Sequence, residues 1–243
     1  MKCNLTFAHT IFPHLHDQIE AISDRWSYSN RAHRDWIALN LKWSLFRRSI
    51  EFTNQALANF YETIRAEEIT SSKVGWYLED KQTVIDLHLF FEYYILVSRG
   101  LLDILGRFHQ PLYPRPLDPS RGIKQLIGAQ FDYFCKEENS DQLGISDLFK
   151  SESSWFDILR EIRTTLSHYD APLINVQRTG DNTADLFVNF KTGGREEKCL
   201  RMSEVASSST EGIDRFIQKF ENIYVGLIKQ GISPPKEAMK SQA

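Results

Sequence analysis

The chain is poor in cysteine. Its 243 residues contain only Cys3, Cys135 and Cys199, an odd number spread far apart. This spacing matches neither a disulfide framework nor a clustered metal site. We therefore expect reduced thiols, no bound metal and a cytoplasmic location.

Long apolar runs and an excess of positive charge are also missing. The strongest apolar run, Leu89 to Val97, is interrupted by Glu92 and is too short to span a bilayer. The first residues do not form a signal-peptide pattern, so we expect neither secretion nor membrane insertion. The formal charge of −3 argues against broad attachment to nucleic acid or anionic lipid, but leaves room for a local basic groove.

Several enzyme motifs are absent as well. We find no glycine-rich phosphate loop, nucleophile elbow or paired zinc motif. No low-complexity stretch divides the chain, and hydrophobic residues make up 42% of it, so a disordered protein is excluded. We predict one folded domain over residues 1–230 and a disordered tail over 231–243.

Helical periodicity dominates the first two thirds of the chain. A first helix is predicted from Pro13 to about Trp26, and a second after Asn30. The second carries a stripe with alternating steps of three and four: Trp36, Leu39, Trp43, Phe46, Ile50, Thr53, Leu57, Phe60 and Ile64. A coiled-coil dimer seam would explain this stripe, but we favour the internal core of a helical bundle.

A third long helix is predicted from about Glu79 to His109. It carries a narrow polar arc formed by His88, Glu92, Arg99 and Asp103. The arc is either a solvated edge with two ion pairs one turn apart or the wall of a polar cleft. Four prolines then predict an extended connector over residues 110–121.

Further helix is predicted over residues 122–137 and 146–150, and Ser153 or Ser154 can cap the next one. That helix has an apolar face made of Trp155, Ile158, Leu159, Ile162 and Leu166. Arg160, Arg163, Thr164 and His168 lie off that face. Because Pro172 disfavours helix at the residue before it, His168 is expected in the last turn.

After Pro172 the apolar period changes from about 3.6 to 2. Alternating residues in three short runs, separated by glycines, predict a three-stranded antiparallel sheet over residues 173–203. A final helix is predicted from about Glu211 to Lys229. The predicted fold class is therefore mainly α: an up-and-down helical bundle with a small β insertion before the C-terminal helix.

The pair Arg163 and His168 suits phosphodiester chemistry. Arginine can donate two hydrogen bonds to phosphate oxygens, and histidine can exchange protons near neutral pH. Because the 2′-hydroxyl of RNA is an internal nucleophile, these groups would suffice without a metal or other cofactor. Alternatively, Arg163 is a surface ion-pair donor and His168 caps the helix. Glu161 is either an orienting partner of His168 or an ordinary surface carboxylate.

With these residues the sequence resembles the HEPN superfamily (higher eukaryotes and prokaryotes nucleotide-binding). Its members are small helical bundles with an arginine, four to six intervening residues and a histidine at an interhelical turn. Arg163 and His168 match that pattern, and the helix with Glu92 and Arg99 is similar to the family's earlier bundle helix. Thr164 stands where many members have a polar Asn, Asp or His that helps orient the site. The resemblance covers residues 30–172 and 211–230.

The resemblance implies a function and partners. Many members are metal-independent ribonucleases that act as dimers in toxin–antitoxin, CRISPR-linked or antiviral systems. It therefore implies catalysis by Arg163 and His168, RNA as substrate, a homodimer, and an antitoxin or nucleotidyltransferase as partner. Two other readings are kept open: a non-catalytic HEPN-like module that binds nucleotide, RNA or protein, and an interaction protein whose sheet edge over Asp181 to Arg195 recruits a partner.

Overall fold

The computed structural model describes residues 11–22, 31–66, 82–113, 126–139, 141–168, 173–180, 183–192 and 196–232. In chain order its helices are α1 (Pro13–Ile22), α2 (Arg31–Ala66), α3 (Gln82–Leu112), α4 (Ile127–Phe134), α5 (Ile145–Ser151), α6 (Ser153–His168) and α7 (Met202–Lys229). The strands are β1 (Leu173–Gly180), β2 (Thr183–Thr192) and β3 (Glu196–Arg201). The predicted class, mainly helical with a small antiparallel sheet before the last helix, is confirmed.

The apolar stripe of α2 is largely buried within the chain itself. Leu39, Phe46, Thr53, Leu57 and Phe60 are all less than 9% exposed. This burial agrees with an internal bundle core. A seam that binds a second chain would be exposed to solvent in a single copy of the chain. Ile64, the last residue of the stripe, lies outside the described side chains.

The three strands form a meander in the order β1-β2-β3, with both pairs antiparallel. The alternation in the sequence matches the burial pattern. Ile174 and Val176 on β1 and Leu186, Val188 and Phe190 on β2 all point to the buried side. The sheet ends at Arg201, so the predicted β segment of 173–203 was two residues too long.

The start of the last helix was predicted incorrectly. Helix α7 begins at Met202, not near Glu211. The run Ser207-Ser-Ser-Thr210 reads as a loop because these residues have low helix propensity. Burial decides otherwise, because Met202, Val205, Ser209 and Ile213 recur at helical spacing and are at most 3% exposed.

The end of α3 also differs from the prediction. Residues 110–112 were assigned to a proline-rich connector, but α3 continues through Pro111 to Leu112. A proline in the last turn removes one hydrogen bond, whereas Leu112 and Tyr113 are buried at 1% and 6% exposure. The Tyr113 amide still donates to the His109 carbonyl at 3.1 Å. The rest of the predicted connector, residues 114–121, lies outside the described part of the chain.

Helix α4 is shorter than predicted at its C-terminal end. The expected helix ran to residue 137, but α4 ends at Phe134 and a short 3-10 helix follows at Glu137–Asn139. The Asn139 side chain donates to the Tyr133 carbonyl at 2.9 Å and satisfies an acceptor near the helix end. At the N-terminal end, α4 begins at Ile127 after an extended Leu126, so the predicted helix is wrong at residue 126, and residues 122–125 lie outside the described part.

Two compact units emerge from the pattern of contacts. Unit 1 comprises Met1–Leu45, Gly100–Ser154 and Gly212–Ala243, and unit 2 comprises Phe46–Arg99 and Trp155–Glu211. The single domain over 1–230 stays a prediction, and all but two residues of the predicted tail lie outside the described part. Among the described residues, no helix combines the length and apolar character needed to cross a membrane.

Unit 1 has an aromatic core and a buried ion-pair centre. Phe131, Phe134, Phe149, Phe216 and Phe220 are at most 3% exposed. Nearby in the sequence, Glu152 joins α5 to α6 and is 1% exposed. Its carboxylate accepts from Arg215 at 3.0 Å and from Lys219 at 2.6 Å, which ties this corner to α7.

Unit 2 contains all six residues that the sequence assigned to the functional site: Glu92, Arg99, Glu161, Arg163, Thr164 and His168. Its sheet is fixed to α2 by a polar network. The Tyr61 hydroxyl donates to Asp185 at 2.6 Å, and Arg201 lies 3.3 Å from the other carboxylate oxygen. Burial, followed by the hydrogen bond to Asp185, raises the pKa of Tyr61 to about 12.

Candidate nucleic-acid interface on helix α6

Helix α6 has one strongly buried face. Trp155, Phe156, Leu159 and Ile162 are at most 2% exposed. The predicted face omitted Phe156 and included Ile158, which is half-buried. The buried face is therefore rotated slightly from the predicted one. It includes the Phe156 ring, which lies close to the guanidinium groups of Arg99 and Arg160.

Arg163 and Thr164 lie at the border between the buried and exposed faces. Both are half-buried, as is Glu161. The Thr164 hydroxyl donates to the Arg160 carbonyl at 2.8 Å, and the Thr165 hydroxyl donates to the Glu161 carbonyl at 3.0 Å. Because Thr164 already uses its only hydroxyl proton within the helix, it can support a neighbouring group only as an acceptor.

His168 is the last residue of α6, as the sequence predicted. The described side chains of this helix end at Ser167, so the geometry of the His168 ring lies outside the described part. Helical geometry places the two Cα atoms of the pair about 7.5 Å apart along the axis. One helix can thus present both residues at its C-terminal end.

Arg99 is brought to α6 by a shared aromatic ring. Its guanidinium carbon lies 5.4 Å from the centroid of the fully buried Phe156 ring. The guanidinium carbon of Arg160 lies 5.8 Å from the same centroid. Arg160 also pairs with Asp157 at 3.0 Å. We call Arg99, Arg160 and Arg163 the arginine cluster, since Arg163 follows Arg160 by one turn.

Comparison with known proteins identifies no relative of this chain. No protein-family model, curated protein or solved structure matches the chain.

Glu92 is the supporting residue that the described contacts do not connect to α6. It is half-buried on α3 and acts on His88, one turn earlier. Burial lowers the pKa of His88, and the charge of Glu92 partly opposes that shift. His88 and Glu92 of the predicted polar arc thus interact within α3, and Arg99 of the same arc contacts the Phe156 ring of α6.

The arginine cluster can bind anions. Guanidinium groups stay charged at every physiological pH and match the planar oxygen pairs of phosphate. Arg99 and Arg160 each lie within cation–π distance of the buried Phe156 ring, to which each cation is attracted. In the described residues no group of three or more His, Cys, Asp or Glu side chains is arranged to hold a metal.

Sequence reasoning missed how Arg160 takes part. Arg160 was recognised as lying off the apolar face, but only the contact of Phe156 with Arg99 reveals the cluster. A pattern of one Phe followed by Arg at the fourth residue was the available signal, since such residues are neighbours on a helix. Nothing in the local pattern around Arg99 indicates a ring 57 positions later.

Proposed function

We propose that this protein is a HEPN-like, metal-independent endoribonuclease that cleaves RNA through Arg163 and His168. The observation that supports the proposal best is that Arg99 of α3 and Arg160 of α6 both lie against the Phe156 ring, on the helix that carries Arg163 and His168. Arg99 and Arg160 both lie within 6 Å of the Phe156 ring centroid. Guanidinium groups attract phosphate, and these two contact a ring of the helix that carries Arg163 and His168.

The charge of the whole chain fits a local site. With a formal charge of −3, the protein cannot rely on a broad positive surface to hold RNA. A few arginines grouped around α6 can still hold two or three successive phosphates. The proposed substrate is single-stranded or loop RNA, in which the backbone can bend into the in-line geometry that attack by the 2′-oxygen requires.

The proposed reaction needs proton transfer and charge stabilisation. A neutral His168 removes the proton from a ribose 2′-hydroxyl, and the 2′-oxygen attacks the adjacent phosphorus. The P–O5′ bond breaks, a protonated histidine gives its proton to the leaving 5′-oxygen, and a 2′,3′-cyclic phosphate remains. Arg163 stabilises the charge on the phosphoryl oxygens in the transition state. The second histidine comes from His168 of a second copy in a twofold dimer.

A second candidate function is RNA binding without cleavage. The arginine cluster favours it, because Arg99 and Arg160 can supply phosphate contacts that do not involve His168. In that case the partner is RNA or a nucleotide, and turnover is absent. The two candidates share a surface but differ in whether substitution of His168 has any effect.

Salt-dependent RNA binding tests the shared surface. Anisotropy titrations of a labelled single-stranded RNA should give a log–log salt slope that falls by about 0.7 for each phosphate contact removed. We expect that fall in Arg163→Ala and in Arg99→Gln. The control is Arg48→Ala on α2, because Arg48 likewise lies over a ring, that of Phe52 at 4.6 Å, and pairs with Glu51.

The outcomes separate the candidates. Slopes that fall in both cluster variants but not in Arg48→Ala support the interface. Binding retained in His168→Ala together with loss of cleavage supports the ribonuclease, whereas binding with no cleavage by any form supports the binding module. Identical slopes in all variants would contradict both.

A further inference from the structure

A groove of about 460 Å³ lies entirely within unit 2. Segments of α2 and α7 form its walls, and α3 contributes one residue to its floor. The lining mixes apolar side chains with hydroxyl and carboxylate groups. It consists of Ile50, Thr53, Asn54, Leu57, Tyr94, Ser203, Glu204, Ala206, Ser207, Thr210 and Glu211. Its volume is in the range of small-molecule sites.

The floor of the groove is fixed by hydrogen bonds. Tyr94 is 1% exposed, and its hydroxyl lies 3.1 Å from the Ala206 carbonyl and 3.0 Å from the Thr210 hydroxyl. Thr53 is also 1% exposed and donates to the Phe90 carbonyl at 3.3 Å. These contacts use the buried polar groups internally. The floor therefore offers a ligand a preformed apolar surface.

The rim of the groove carries the groups that select charge. Glu204 and Glu211 are exposed and lie two turns apart on α7. Glu204 already lies 3.5 Å from the guanidinium of Arg201. Glu211 on α7 and Asn54 on α2 have no hydrogen-bond or ion-pair partner among the described contacts. One carboxylate and one amide thus remain available above the apolar floor.

We propose that this groove binds a small organic monocation, namely a protonated primary amine attached to an apolar body. The ammonium pairs with the Glu211 carboxylate and can donate to the Asn54 side-chain oxygen. The apolar body lies over Leu57 and Ala206, which are 8% and 9% exposed. A carboxylate ligand would instead meet Glu211 as a like charge.

This proposal does not depend on the proposed ribonuclease activity. The groove shares no lining residue with the arginine cluster, and the two surfaces select opposite charges. An organic cation can therefore bind even if the protein never contacts RNA. Equally, RNA cleavage can be present in a protein whose groove binds nothing.

Three compounds with one body and different charges provide the probe. Phenethylamine is the cation, 2-phenylethanol the neutral analogue and phenylacetate the anion. Ligand-detected NMR titration of the full-length chain suits the weak affinity expected of a ligand this small, with Kd on the order of 1 mM. We expect phenethylamine to bind most tightly, 2-phenylethanol more weakly and phenylacetate most weakly.

Matched variants locate the binding. Ser207→Trp places an indole in the groove, whereas Ser208→Trp alters the adjacent exposed residue, which does not line it. Phenethylamine binding should be lost in the first and kept in the second. Glu211→Gln should weaken phenethylamine about two- to fivefold, as for an exposed ion pair, without weakening 2-phenylethanol. Glu62→Gln, an exposed change outside the groove, should change neither.

Three results would overturn the proposal. The first is no saturable phenethylamine binding up to about ten times the expected Kd. The second is binding of phenylacetate as tight as that of phenethylamine. The third is equal binding by Ser207→Trp and Ser208→Trp when circular dichroism shows both to be folded.

Discussion

Acidification should destabilise this protein through one buried imidazole, that of His109 in unit 1. Its side chain is completely buried. Five aromatic rings surround it at centroid distances between 5.3 and 5.9 Å: Tyr113, Phe134, Phe149, Phe220 and Tyr224. Such surroundings disfavour the charged form, because apolar groups replace the water that would solvate it.

The hydrogen bonds around His109 define which nitrogen carries the proton. The Gln130 side-chain nitrogen donates to the Gly106 carbonyl at 2.7 Å, which turns the amide oxygen toward His109. That oxygen lies 2.7 Å from Nδ1, so Nδ1 is the donor in the neutral ring. A second proton would go to Nε2, which is buried and has no hydrogen-bond partner. Burial accordingly lowers the pKa of His109 to about 4, against the smaller opposing effects of Gln130 and Asp141.

The magnitude follows from the difference between the folded and unfolded states. The unfolded chain takes up this proton below pH 6.5 and the folded chain only near pH 4. The contribution of the neutral His109 to stability is therefore fully retained above pH 6.5 and is lost as the pH falls toward 4. The loss is roughly 2 kcal/mol at pH 5 and about 3 kcal/mol below pH 4.

Urea unfolding at pH 7 and pH 5 measures this loss. His109→Phe keeps an aromatic ring but removes the titrating group, so its stability should fall less between the two pH values, by roughly 2 kcal/mol. At pH 7 the variant should itself be less stable, because Gln130 loses a buried donor, at a cost of about 1–3 kcal/mol. The control is His88→Gln, which leaves His109 intact.

The comparison has a clear failing result. If His109→Phe loses as much stability between pH 7 and pH 5 as the original chain, His109 does not cause the acid sensitivity. The claim that folding keeps this imidazole neutral would then be wrong. A large pH effect that disappears in His88→Gln instead would assign the sensitivity to the half-buried ring on α3.

Two further predictions concern buried polar contacts. Glu152→Gln removes the carboxylate shared by Arg215 and Lys219 and should destabilise the chain by about 1–3 kcal/mol in urea unfolding. The loss is no larger because both cations keep partial access to water. A change under about 0.5 kcal/mol would contradict this role of Glu152. Tyr61→Phe should remove one tyrosinate that ionises near pH 12 from the alkaline absorbance titration, because Tyr61 is half-buried and donates to Asp185. Since that pKa lies above 10, the contribution of Tyr61 to stability is present below pH 10 and is lost as the pH rises toward 12. If Tyr61→Phe instead loses a tyrosine that ionises near pH 10, the assignment is refuted.

Periodicity predicted the elements better than their ends. The sheet was read correctly because Leu186, Val188 and Phe190 alternate with polar residues and only one face is buried. The start of α7 was missed because serines disfavour helix locally, while the burial of Met202 and Val205 is a tertiary effect. Pro111 misled in the same way, since packing of the last turn outweighed one lost hydrogen bond.

The candidate site was only partly predictable for a related reason. The order of Arg160, Arg163 and His168 on α6 follows from local sequence. The approach of Arg99 to Phe156 does not, because it depends on how two separate helices pack. The same holds for His109 and Gln130, which meet across 21 residues of sequence. Local patterns place residues on helices, whereas partners across helices require the fold.

The most direct test of the central claim is cleavage of a mixed, end-labelled RNA by the purified chain in excess EDTA, with analysis of the product ends. We predict fragments that end in a 2′,3′-cyclic phosphate, loss of cleavage in Arg163→Ala and in His168→Ala, and no cleavage of a matched DNA. Cleavage that persists in both variants, or that stops in EDTA, would contradict metal-independent catalysis by this pair.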